Sequence, residues 1–279
     1  MSHLIHPSDG TIQFDVTPAS AHWRYLSYRV VVLQAGETYR HQTEGNEAAL
    51  VPIAGAGEAK IADQNFAISR SNVFREMPHV LYAPPGAAIE VQATDYFHFA
   101  IGSAPAQGLY PIRLFRPEEM RSEIRGGGSA TRQVNHILAH PLPAERLILF
   151  EVYVPGGAWS GYPPHCHDGY DGCAHLDETY HFLIEPHNGF GFHRNYRVDE
   201  DFDETFTVQH NDLVLVTKGF HSTTVASGAN MYFLNYLAGE LYDEDRAIPP
   251  HDDPQYADQK DRLAEIPMTL PVARENYNR

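Results

Sequence analysis

The chain has 279 residues, enough for one large domain or for two of about 140 residues that each bury a core. Hydrophobic residues at 43% and charged residues at 20% exclude the disordered and collagen-like classes. A formal net charge of −16 without a Lys/Arg cluster argues against nucleic acid as a partner, although a few buried arginines can still hold a small anion.

The opening, Met1 to Pro7, has neither a basic start nor an apolar stretch, and no apolar run approaches the roughly 18 residues a membrane span needs. The two cysteines, Cys166 and Cys173, are too few for a disulfide scaffold, so a reducing cytoplasm is the expected setting. Short segments rich in β-branched and aromatic residues follow at 28–33, 48–53, 88–93, 147–154 and 213–216, separated by Gly, Pro, Asn and Asp. This pattern predicts an all-β sandwich or barrel rather than βαβ units. Helical character is expected only at 117–121 and at 254–265, where Asp253 caps and Pro267 closes the helix. Between the strand-rich halves lies Arg125-Gly126-Gly127-Gly128-Ser129, a linker or a backbone anion cradle, with the linker the simpler reading. A faint internal repeat spans it, and the segment 80–88 aligns with 213–221 so that Ala88 stands where His221 stands.

The chemistry concentrates in the second half. In Pro163-Pro164-His165-Cys166-His167-Asp168 a strand would aim both imidazoles to one side and Cys166 to the other. Alternation through 176–183 places Glu178 on the apolar face with Leu176, Tyr180 and Phe182, and Asp177, Thr179 and His181 opposite. A carboxylate facing a strand-lined interior needs a compensating cation or hydrogen bonds. His221 re-enters after the turn following Leu213–Val216, completing a set of three histidines and one carboxylate. Such a set suits one divalent metal per chain, zinc being favoured, with manganese, iron or nickel also compatible. His136 and His140 lack an acidic partner, His187 and His193 read as polar surface, and both cysteines are left out of the ligand set. Arg194 and Arg132 are the candidates for gripping a carboxylate, each equally readable as surface.

The histidine pair, the later glutamate and the closing histidine resemble the two motifs of the cupin superfamily. More specifically, Arg125-Gly126-Gly127-Gly128, Thr131-Arg132-Gln133-Val134, Glu151 through Gly157, Ser160 through Asp168, Gly189-Phe190-Gly191-Phe192 and Asp203 through Val208 resemble the 5-deoxyglucuronate isomerase family of bacterial myo-inositol catabolism. The resemblance implies a bicupin of two jelly-roll-like β-barrels. Residues 1–116 would form a barrel without metal ligands, and residues 117–279 a metal-binding barrel with a C-terminal helix, its metal on His165, His167, Glu178 and His221. It also implies a small sugar-acid substrate, an aldose–ketose isomerisation of 5-deoxy-D-glucuronate to 5-dehydro-2-deoxy-D-gluconate, and a homo-oligomer in which the first barrel packs and contacts subunits. The chain departs from the pattern at Cys166, where a basic residue is expected, and at Thr217, where proline is usual. Candidates for moving the proton are Tyr180 and Tyr153 on strands, and Asp168 and Lys218 in adjoining turns, with Arg194 the first choice for the far carboxylate. A cupin dioxygenase and a non-catalytic sugar-binding bicupin are the competing expectations, separated by oxygen consumption and by loss of the ligand set.

Overall fold

A computed structural model describes residues 3–263, and the architecture is all-β as expected. One eight-stranded sheet is built from the first half, running Ile12–Val16, Ser27–Leu33, Ala88–Pro105, Asn46–Ile61, Val80–Ala83 and Arg113–Phe115, with Thr38–Gln42 and Gln64–Arg70 added on the two longest strands. Those two strands serve both layers of a barrel because their pairing shifts register between Pro52 and Ala54 and again between Gly55 and Gly57. Gly55 sits there at φ +89°, and a Cβ would lie 1.8 Å from the Tyr96 carbonyl oxygen, so only glycine fits.

The second half, joined by the N-terminal strand Leu4–Ile5, forms a seven-stranded and a five-stranded sheet. The first orders Leu4–Ile5, Leu213–Val216, Leu176–Glu185, Asn230–Gly239, Ile148–Val154, Arg132–Leu138 and Arg121–Arg125. The second orders Asp203–Gln209, Phe190–Tyr196, Phe220–Val225, Trp159–Cys166 and His251–Asp252. Their facing sides enclose Val152, Tyr180, Phe182, Val208, Val225 and Phe233. The reverse side of the seven-stranded sheet packs on the first half, where Leu183, Leu215, Tyr232 and Tyr236 join Phe14, Tyr28, Val51 and Ala100 in one core. The strand Leu176–Glu185 is therefore buried on both faces, and its alternation separates two interiors rather than interior from solvent.

Buried carboxylates bridge the two halves. Asp177 Oδ2 accepts from the amides of Arg24, Tyr25 and Leu26, and Glu47 accepts from those of Glu145, Arg146 and Leu147. Arg70 and Glu151, both fully buried, form a two-pronged pair at 2.6 and 3.2 Å.

Helical structure departs from the expectation, and an unanticipated four-residue α-helix spans Pro18–Ala21. A single 3₁₀ turn spans Pro117–Glu119, and Arg121 already begins a strand. Asp253 does cap its segment, accepting from the Gln255 amide, but Pro254–Arg262 is 3₁₀ rather than α-helix. The end of the expected helix, including Pro267, lies outside the described residues. Arg125–Ser129 is no free linker: Arg125 ends a strand and Gly128 opens a 3₁₀ turn. Ala88 is exposed opposite Gln42, and its neighbour Ile89 takes the inward position, so the repeat alignment is one residue out of phase there. Among the described residues, no helix is long and apolar enough to cross a membrane.

Candidate metal centre and its cavity

The strand Trp159–Cys166 lies against Phe220–Val225 with His165 opposite His221. The chain then turns, Asp168 bridges His175, and the Leu176 amide donates to the His167 carbonyl at 2.7 Å. This hairpin returns the chain so that Glu178 faces His167, with Nε2 and Oε2 2.7 Å apart. His167 Nδ1 lies 3.1 Å from the Leu176 carbonyl and His221 Nδ1 lies 3.3 Å from the Gly219 carbonyl. Each ring donates from Nδ1 to a backbone oxygen, which directs the other nitrogen toward Glu178. His221 Nε2, completely buried and 3.3 Å from Glu178 Oε2, has no hydrogen-bond partner among the described residues.

The coordinating atoms of His167, Glu178 and His221 lie within 4.8 Å of one another. His165 is adjacent rather than within that group: its ring is 4.5 Å from that of His221 and 6.3 Å from that of His167. Burial would raise the Glu178 carboxyl, but the charge and hydrogen bond of His167, with the His221 imidazole close by, outweigh it and hold the group well below the usual carboxylate range. Burial depresses His165, helped by the neighbouring His221 and His167, so this imidazole is neutral, as a ligand must be. Two imidazoles oriented by carbonyls, an ionised carboxylate and a buried nitrogen without a partner fit a divalent cation of the zinc, manganese, iron or nickel kind.

The group opens on a cavity of about 720 Å³ whose wall includes His165, His167, Glu178, Tyr180 and Arg132. Burial followed by the Glu178 charge pushes the Tyr180 phenol well above its ordinary value. The Arg132 guanidinium donates from Nη1 to the Ala130 carbonyl at 3.1 Å and, among the described residues, has no carboxylate within ion-pair distance. Gly126, at φ +76°, is required beside it, since a Cβ would sit 2.8 Å from Arg132 Nη1 and 2.1 Å from the Ala130 oxygen. The rest of the basic rim escaped the sequence reading. Arg121 and Arg125 line the cavity on the strand Arg121–Arg125, tied to Glu123 at 3.5 and 2.6 Å, and His136 contacts the same Glu123 at 2.7 Å. Their signal was the Arg-x-Glu-x-Arg alternation, which places all three side chains on one strand face.

Four expected residues lie elsewhere. Arg194 is on the outward phase of Phe190–Tyr196, makes a two-pronged pair with Asp203 at 2.8 and 2.6 Å and stacks 4.0 Å over Tyr196, away from the cavity. Tyr153 points toward the first half, its hydroxyl donating to the Val73 carbonyl at 2.9 Å. Asp168 is a turn-holder: it accepts from Gly219 N, Tyr170 N and Arg197 Nη1, and these bonds overcome its burial to keep it below the usual carboxylate value. Lys218 pairs with Glu200 beside Phe202 at the surface.

Two β-barrels, one carrying a His/Glu cluster beside a cavity, define a cupin. A Bacillus subtilis oxalate decarboxylase, studied for its Mn(II) centres, shares the fold at 13% identity with a TM-score of 0.64, over 95% of this chain and 87% of that one. The chain belongs to the KduI/IolB family, which it matches over residues 3–259. It is 39% identical to the 5-deoxy-glucuronate isomerase of Geobacillus kaustophilus across 92% of this chain and 95% of that relative. It is 32% identical to that of Bacillus subtilis across 81% and 85%. An IolB-like protein from Salmonella typhimurium superposes with a TM-score of 0.86 at 33% identity, covering 91% of this chain and 97% of that one.

Proposed function

We propose that this protein is an intramolecular oxidoreductase that converts 5-deoxy-D-glucuronate, an aldehyde, to its 2-keto isomer 5-dehydro-2-deoxy-D-gluconate, with one divalent metal held by His165, His167, Glu178 and His221. The names of its relatives support the substrate. The observation that carries the reading is Arg132: a guanidinium that has no acidic partner among the described residues faces the same cavity as the His/Glu cluster. A sugar acid has a carboxylate several bonds from its aldehyde, and this wall offers one group for each end.

When bound, the metal supplies Lewis-acid polarisation of the carbonyl, which lowers the barrier to moving hydrogen between the two carbons. Arg132 holds the carboxylate and so fixes which end of the open chain enters first. Tyr180, kept protonated at neutral pH, donates a hydrogen bond to a substrate oxygen and does not take a proton. Arg121 and Arg125 add positive potential around the entering anion, offsetting the acidic surface of the molecule. The barrel of residues 1–116 takes no part in the chemistry and buttresses the reverse side of the catalytic sheet. In support, both groups of three or more ligating side chains among the described residues lie in the second half.

Incubating the metal-loaded protein with 5-deoxyglucuronate and following the aldehyde proton by NMR tests this. Loss of that signal with matching growth of the ketone is expected, without oxygen uptake. An unchanged aldehyde, or oxygen uptake matching its loss, overturns the assignment.

A further inference from the structure

Cys166 and Cys173 occupy a place that the proposed reaction does not use. Cys166 ends the strand Trp159–Cys166 and is fully buried among Tyr196 and Phe220, while Cys173 is partly exposed at the end of the 3₁₀ turn Tyr170–Gly172. Both are free thiols, and their sulfurs and a carboxylate oxygen of Asp168 lie within 4.8 Å of one another. The chain between them turns through Gly169 at φ +88°, Asp171 at φ +49° and Gly172 at φ +78°. Among the described residues, no group beyond their chain neighbours lies within 4 Å of where a Cβ would be at either glycine, so there is space beside the turn.

We propose that Cys166 and Cys173 form a redox modification site, closing to an intramolecular disulfide when a peroxide-class oxidant reaches the partly exposed Cys173. The Cys173 sulfur attacks one peroxide oxygen, the O–O bond breaks, and the leaving hydroxide takes up the thiol proton as water. The Cys166 sulfur then attacks Cys173, the S–OH bond breaks, and the hydroxide leaves with the Cys166 proton as a second water. Two thiols and one hydrogen peroxide thus give one disulfide and two waters, the sulfurs being oxidised and the peroxide oxygens reduced. The division of labour follows from exposure: Cys173 meets the oxidant and Cys166 resolves it from beneath.

A metal on this triad is the less fitting use of it. Asp168 already accepts from two backbone amides and from Arg197 at 2.7 Å, and that guanidinium would repel a cation. A disulfide is neutral and leaves those bonds in place. It would also fasten the hairpin that carries His167, because the cross-link spans residues 166–173.

The test is made on the full-length, metal-loaded protein with a stoichiometric amount of hydrogen peroxide, followed by denaturation, alkylation and mass spectrometry. No alkylatable thiol and a monomer lighter by two hydrogens are expected, with both thiols returning after dithiothreitol. In Cys166→Ser, dimedone should trap a sulfenic acid on Cys173; in Cys173→Ser, Cys166 should remain alkylatable at the same oxidant dose. Circular dichroism shows whether each variant is folded, and the wild-type result stands without them. The proposal fails if both thiols stay free, if the only linked product is an intermolecular dimer, or if the thiols are blocked by a metal that a chelator releases.

Discussion

Arg132 and Arg194 contain the same functional group in opposite circumstances. Arg194 has its donors taken by Asp203 and its face by Tyr196, whereas Arg132 keeps most of its donors for the cavity. Replacing Arg132 with alanine removes a charge-assisted pair worth about 1.5–3 kcal/mol, so KM for the uronate should rise roughly ten- to a hundredfold with metal content unchanged. Steady-state kinetics of Arg194→Ala should be near wild type; the reverse ranking would return the carboxylate to Arg194. His221→Ala should lower metal affinity in a competition titration with a chromogenic chelator, since the ring directs a buried nitrogen without a partner at Glu178. Unchanged affinity would remove His221 from the ligand set. Residue type alone could not separate the two arginines, because the difference lies in strand phase: His193 and Asn195 take the buried positions and leave Arg194 outside. Lys218 and Asp168 failed as candidates for a related reason, since turns near a site are held by ion pairs and amide bonds that the sequence does not display.

At the scale of single elements, period-two alternation was the informative signal. It placed Glu178, Tyr180 and Phe182 on one face of Leu176–Glu185 and Asp177 and His181 on the other, as the barrel core and the contacts to Tyr25 and Tyr28 require. It could not reveal that the second face is also buried, because Asp177 and His181 look like solvent-facing residues until their partners from the first half are seen. The buried pair Arg70 and Glu151 belongs to the same concealed interface, joining the strands Gln64–Arg70 and Ile148–Val154. Arg70→Met would leave Glu151 ionised and unmatched apart from the Tyr232 and Tyr153 hydroxyls, and should lower stability by about 3–5 kcal/mol. Urea unfolding of Arg70→Met beside the double variant with Glu151→Leu provides the check. The double variant should recover part of the loss, and equal loss in both would mean that packing rather than charge is responsible.

Across the whole molecule, the all-β class followed from strand spacing and punctuation, while the shared core between halves did not, since its contacts join residues far apart in sequence. Two histidines mark that junction. His98 is held down to about 3 and His181 to about 4, in each case chiefly by burial, and their rings lie 6.3 Å apart. The folded chain keeps them neutral at pH 5 while the unfolded chain protonates them below about pH 6.5, so the unfolded state binds more protons there. Their contribution is fully present above about pH 6.5. It falls by about 1.4 kcal/mol per pH unit for each histidine as the pH drops toward 4. Urea midpoints at pH 7, 6 and 5 should decline accordingly, less steeply in His98→Gln; a flat profile would mean that the junction opens to water. The central claim, one catalytic metal in the second barrel, is tested most directly by measuring metal content and uronate turnover together in the wild-type protein and in Glu178→Ala. One ion per chain in the wild type, lost along with turnover in the variant, is the predicted result; two ions per chain, or a variant that keeps both its ion and its turnover, would contradict it.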